Sequence, residues 1–191
     1  MPTYSSPNRI VWDYFWSLRL LEENARKAPS PELARQSTAL AVVMAVTVVE
    51  VFLNLWFRVR IEERKVPGER EAFLKELSAR ISLDRKVNQW PSRYLSGPLN
   101  FNSGAGAEFM KLKKLRNSII HFTSSHQSVD LGEVAVHGLA DTTEYDSLTA
   151  SNASWALQTA EDVVAQVFRL AGIAAKEVPN ALHAWAGRVP V

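Results

Sequence analysis

Cysteine is absent from the 191 residues. That excludes a disulfide scaffold, a thiolate nucleophile and a cysteine-ligated zinc site, and it agrees with a cytoplasmic location. Histidine is scarce. Of the four, His126, His137 and His183 stand at no metal-ligand spacing with an acid, and no His-Glu-x-x-His run occurs. No metal and no cofactor is therefore expected. The chain lacks the basic start, apolar middle and small-residue cleavage site of a secretory signal, beginning Met1-Pro2-Thr3-Tyr4 and soon reaching Asp13. It also lacks a phosphate-binding P-loop. The glycine-rich stretch from Ser96-Gly97-Pro98 to Asn102-Ser103-Gly104-Ala105-Gly106 has no lysine followed by serine or threonine at the required offset, and no strand precedes it. Internal repeats and low-complexity stretches are missing too.

What is present reads as one globular domain. Apolar residues make up 47% and charged residues 22%, which suits a folded core rather than disorder. A single domain over 1–191 is expected, with its core at about 8–172 and a short C-terminal extension at 173–191. Thr38 to Phe57 is nearly all apolar and long enough to cross a bilayer. Glu50 and Asn54 interrupt it, however, and Arg58 and Arg60 follow at once. A carboxylate at that depth costs about 2.5–3.5 kcal/mol on insertion scales, so a buried central helix is expected and no membrane.

The fold class expected is all-α: an up-and-down bundle of four to five main helices. Ile10 to Ala28 carries Trp12, Phe15, Trp16 and Leu20 at helical spacing and ends before Pro29. Ser30-Pro31-Glu32 opens a second helix with a hydroxyl cap, a proline at the first helical position and an acid at the positive dipole end. That helix runs to about Lys65, where Val66-Pro67-Gly68 stops it. Glu69 to Ile81 is a third helix, and Ser82 to Trp90 continues it after a break until Pro91 closes the segment. Ala107 to about Phe122 is the fourth, with a core stripe of Leu112, Leu115, Ile119 and Phe122. From Thr123 to Ser151 the pattern lapses into an irregular loop in which Val134-Ala135-Val136 reads as a short strand. Asn152 or Ser151 caps a fifth helix through Leu170, Gly172 ends it, and the tail around Trp185 forms a short helix. The six tryptophans are expected to pack in the core, with Trp90 beside Pro91 the exposed exception.

Net charge is +2, but the distribution is uneven. Lys111, Lys113, Lys114 and Arg116 share one helix, whereas Asp130, Glu133, Asp141, Glu144 and Asp146 cluster without an intervening lysine or arginine. Such asymmetry can focus an anionic ligand.

The segment Lys113-Lys114-Leu115-Arg116-Asn117-Ser118-Ile119-Ile120-His121-Phe122 carries the most chemistry. It resembles the signature of the HEPN family, in which an arginine followed by a polar residue precedes a histidine by a short fixed gap; here Asn117 to Ile120 fill that gap. An earlier apolar helix with an embedded acid, Val49-Glu50-Val51-Phe52-Leu53-Asn54, fits the same resemblance, which extends in helix order over about residues 10 to 170. The resemblance implies a HEPN-like bundle, metal-independent cleavage of RNA, and a homodimer in which two copies of the motif face one cleft. One copy holds a single proton-transfer group, and a two-fold axis would supply two.

Elementary chemistry agrees. RNA cleavage without metal needs a base for the 2′-hydroxyl, positive charge for the crowded phosphate and a proton for the leaving oxygen. An imidazole such as His121 can give or take the proton, and the planar fork of Arg116 can hold the phosphate. Asn117 lies one turn before His121 on the same face and can orient either; Lys113 and Lys114 are candidate contacts to the RNA backbone. Glu50 is expected to support this set rather than to react, since a buried acid must be paired or neutral. The alternative is a non-catalytic HEPN helical module that binds a protein partner or a nucleotide. An antitoxin or other protein partner suits either reading. In some paired toxins of the family a tyrosine stands two residues after the histidine and is modified by a nucleotidyltransferase; Thr123 stands there in this chain, which speaks against that form of control.

Overall fold

The computed structural model describes residues 4–66, 68–121, 127–130 and 135–188, with the backbone alone at 127–130 and 135–139. The architecture is all-helical apart from one small hairpin. In chain order the elements are α1 (Pro7–Lys27), α2 (Pro31–Arg64), α3 (Glu69–Ser78), α4 (Leu83–Tyr94), α5 (Gly104–His121), β1 (Gln127–Asp130), β2 (Ala135–Leu139), α6 (Thr143–Asp146), α7 (Ala150–Leu170) and α8 (Val178–Ala186), the last preceded by a 3-10 turn.

The starts and stops follow local chemistry. Ser30 accepts a hydrogen bond from the Leu33 N–H at 3.3 Å, and Pro31 supplies the fixed φ of the first helical position. At the other end Lys65 adopts the left-handed conformation (φ 52°) and its N–H returns to Ile61 O. Ser82 accepts from the Arg85 N–H and so opens a separate helix, α4, instead of prolonging α3. Thr149 and Asn152 form a reciprocal capping box at the start of α7, so Thr149, and neither Ser151 nor Asn152, is the cap. Gly172, at φ 84°, follows its end.

The short link between α1 and α2 makes them antiparallel neighbours. α7 packs against both, and α5 lies on α2 and α7, while α8 closes over α1 and α7. α2 is therefore the axis of the molecule. It is the one helix, among the described residues, long and apolar enough to cross a membrane, and 56% of its most apolar stretch is buried inside the protein. Val42, Val46, Val49, Phe52, Leu53 and Phe57 are buried along it. Aromatic rings extend that core: Phe52 meets Phe168 of α7 edge-on at 5.5 Å and Trp185 of α8 at 5.8 Å, and Trp90 of α4 lies between Phe57 at 5.5 Å and Phe73 at 4.7 Å.

Two expectations need correction here. Pro91 does not close its segment: α4 runs through it to Tyr94, and Pro91 is itself buried. Nor is Trp90 exposed; its relative exposure is 0%, and its indole N–H donates to Glu76 at 2.8 Å. Lys86, Val87, Trp90, Pro91 and Tyr94 form the inward face of α4. Losing one helical hydrogen bond at proline is outweighed by seating that whole stripe on α2 and α3. The exposed tryptophans are Trp16 and, in part, Trp12 on α1.

The strand expected at Val134-Ala135-Val136 falls on β2, although Val134 itself lies outside the described residues. It pairs antiparallel with β1, Val129 opposite Val136 and Asp130 opposite Ala135, with an irregularity between Gln127 and Val129.

Candidate functional site

α5 begins three residues earlier than its periodicity suggests, at Gly104. Two glycines of the preceding loop have distinct roles. Gly104 takes φ 62°, a left-handed turn into the helix. Gly106 allows a close approach instead, since a Cβ there would lie 2.1 Å from Asn100 O. Asn100 also organises the loop, accepting from the Asn102 N–H at 2.9 Å and donating to Ser103 Oγ at 2.9 Å.

Along α5 the buried residues are Gly106, Phe109, Leu112 and Ile119. Leu115 is only half-buried, and Phe122 lies outside the described residues. Arg116 falls in line with Phe109, Leu112 and Ile119 at spacings of three and four, on the inward stripe. Its half-buried guanidinium donates from Nη1 to Asn117 Oδ1 at 3.0 Å, and its Nε is buried with no acceptor among the described residues. His121 stands five residues on, rotated about 140° around the helix axis, and is exposed at the C-terminal end. Asn117 lies between the two in rotation, half-buried, one turn before His121. Asn117 is thus the side chain through which Arg116 connects to the outer face.

The basic cluster is mostly engaged within the chain. Lys111 pairs with Glu108 at 2.7 Å. Lys113 pairs with Asp84 of α4, and burial pulls its ammonium below the usual lysine range. Lys114 is exposed. The acidic cluster is also partly engaged: Asp146 pairs with Arg35 of α2 at 3.2 Å and accepts from Thr142 at 2.5 Å. The side chain of Asp130, and Glu133 and Thr123 entirely, lie outside the described residues, as does His126.

Glu50 is placed by α2 beside Lys86 of α4, and the two close an ion pair of 2.6 Å in which Lys86 keeps 6% exposure and Glu50 39%. Its partner is therefore neither Arg116 nor His121. Asn54, one turn on, has a buried Oδ1 without a donor among the described residues. Asp84 and Lys86 were not singled out from sequence, because an acid and a lysine at a helix start look like ordinary solvated charge.

A cavity of about 540 Å³ lies at the opposite end of α5, between Asn100, Ser103, Gly104 and, on α7, Asp162, Gln166 and Arg169. An 18-residue helix is roughly 27 Å long, so that cavity is remote from His121. Among the described residues no group of three or more histidines and acids is arranged to hold a metal ion. Comparison with protein families, with curated proteins and with solved structures finds no match.

Proposed function

We propose that the chain is a metal-independent endoribonuclease of HEPN type that works as a homodimer in the cytoplasm, with RNA as its substrate. The observation that carries the reading is the coupling at the end of α5: Arg116 holds Asn117 at 3.0 Å, one turn before the exposed His121. In the reaction proposed, the 2′-oxygen attacks the adjacent phosphorus, the bond to the 5′-oxygen breaks, and a 2′,3′-cyclic phosphate remains. His121 takes or gives the proton that moves between those oxygens. Arg116, whose Nε has no acceptor among the described residues, supplies the charge and the donor that the phosphorane needs. Asn117 orients either group. Lys114 forms no ion pair among the described residues and is the cation placed to meet the RNA backbone. A second His121 from a symmetric partner would provide the other proton transfer.

The test is cleavage of a labelled mixed RNA pool in EDTA by wild type, His121→Ala and Arg116→Ala. Cyclic phosphate ends from wild type, with both variants folded and inactive, are expected. Inertness of wild type towards every RNA sinks the reading.

A second reading rests on the inward placement of Arg116. A guanidinium half-buried in line with Leu112 and Ile119 and tied to its neighbour suits a non-catalytic helical module that binds a protein partner, an antitoxin among the candidates. In that case Arg116→Ala would cost stability and His121→Ala would change nothing measured on RNA.

A further inference from the structure

α1 buries one stripe, Val11, Phe15, Leu18 and Ala25, against the rest of the chain. Its opposite face is unusual for a surface helix. Trp12 is 37% exposed, Trp16 58% and Leu20 52%, and the two indoles stack at 5.5 Å with their planes 5° apart. Trp12 is held from behind by Gly187, at the end of α8, where a Cβ would come within 2.2 Å of the indole nitrogen. The pair is thus a preset, rigid apolar ledge. Large exposed apolar side chains that line up and are fixed in place mark a contact surface.

The charges flanking the ledge identify what covers it. Arg9 precedes Trp16 by seven residues and Glu23 follows it by seven; Trp12 precedes it by four and Leu20 follows by four. All five positions fall on one face of the helix. The pattern is a palindrome in spacing and an antipalindrome in charge. Laid antiparallel on a copy of itself about a two-fold axis through Trp16, it sets Arg9 against Glu23 and Trp12 against Leu20, each contact made twice, and Trp16 against Trp16 once, on the axis. Arg9 is exposed and forms no ion pair among the described residues, while Glu23 meets Lys27 within its own helix at 2.5 Å.

We propose that a second copy of this chain docks antiparallel on the outer face of α1, centred on Trp16. This interface is separate from the one required for RNA cleavage. α1 and α5 each pack on both α2 and α7, with little or no contact between themselves, so the outer face of α1 is a different surface from the one that carries His121. The two interfaces can be broken independently.

The experiment is sedimentation equilibrium of the full chain over a wide concentration range, with circular dichroism to verify folding. Wild type should show a concentration-dependent association step that doubles its mass. Trp16→Glu, which sets two carboxylates against each other at the axis, should lack that step, leaving the pair required for RNA cleavage as its largest species. Arg9→Glu and Glu23→Arg should each weaken the dimer about tenfold or more, since each turns two attractive contacts into repulsive ones. The double variant Arg9→Glu/Glu23→Arg should recover most of that loss. A wild type with no association beyond the pair required for RNA cleavage, an association step unchanged by Trp16→Glu, or a double variant no tighter than the singles overturns the proposal. A dimer as the largest species of wild type, unchanged in Trp16→Glu, would do the same while leaving the ribonuclease reading intact.

Discussion

Lys86 of α4 reaches across to Glu50 in the middle of α2 and closes an ion pair of 2.6 Å, with the lysine almost wholly enclosed. The lysine is the partner that cannot be left alone. Its ammonium also lies 5.8 Å from the Trp90 ring centroid, and its stem is part of the buried face of α4. Glu50→Gln should therefore destabilise the fold by about 1–3 kcal/mol, less than the roughly 3–5 kcal/mol of a fully enclosed pair because Glu50 keeps contact with solvent. Lys86→Met keeps the stem volume and should cost less. The double variant should stand close to Lys86→Met, and urea unfolding of the four proteins reads this directly. RNA cleavage should follow the loss of stability and no more, since neither Arg116 nor His121 is the partner of Glu50.

Arg116 invites the opposite experiment. Its Nε is buried without an acceptor among the described residues, and a buried unsatisfied donor costs about 1–3 kcal/mol. Arg116→Met fits the same inward stripe between Leu112 and Ile119 and removes that donor. The melting temperature should stay level or rise, while RNA cleavage is lost. A variant that melts well below wild type would identify Arg116 as a structural residue and count against its role in phosphate binding.

The helices were legible in the sequence because their punctuation is chemical and local. Ser30-Pro31, the break between Val66 and Gly68, and Gly172 mark ends close to where they were expected, while Ser82 starts a helix of its own. Position relative to the core was not legible where two readings share one local pattern. Trp12, Trp16 and Leu20 have the same helical spacing as a core stripe, and only the pairing of Val11, Phe15 and Leu18 with the rest of the chain turns them outward. Trp90 beside a proline looks like a loop end, yet α4 continues because four further residues of the same face are buried. The candidate residues Arg116, Asn117 and His121 were legible as part of one helix, α5. Their rotation was not, since a gap of five places Arg116 and His121 on different sides of α5.

Lys113 gives a pH dependence with a definite sign. Burial lowers its folded-state pKa from the ordinary 10.5. Between the depressed value and 10.5 the unfolded chain holds a proton that the folded chain has released, so raising the pH across that window favours the folded state. Below the window the cost of burying the cation is present in full, offset in part by Asp84. Urea melts from neutral pH to about 10.5 should show wild type gaining stability relative to Lys113→Met as the pH rises. Asp84→Asn should enlarge the gain, because it removes the carboxylate that stabilises the charged form. A difference between wild type and Lys113→Met that is flat with pH would mean the ammonium is better solvated than its 15% side-chain exposure implies.

Glu161 of α7, 5% exposed, is the anchor by which the C-terminal helix is held. It accepts from Arg19 of α1 at 2.6 Å and pairs with Arg188 beyond α8 at 3.4 Å, and Arg19 donates in addition to Ala186 O. One carboxylate thus joins three helices. Glu161→Leu would strand two guanidinium groups, of which Arg19 keeps only 24% side-chain exposure. Arg188 can turn to solvent, but Arg19 cannot do so without leaving the Ala186 carbonyl. The expected cost is about 3 kcal/mol or more, with α8 released before the rest of the fold. Hydrogen exchange should therefore show faster exchange first in 178–186. Since Gly187 backs the Trp12 indole, the same variant should loosen the indole stack on α1, visible as a change in tryptophan near-ultraviolet dichroism. Protection in 178–186 equal to wild type would show that Val178, Leu182 and Ala186 hold α8 by apolar contact alone.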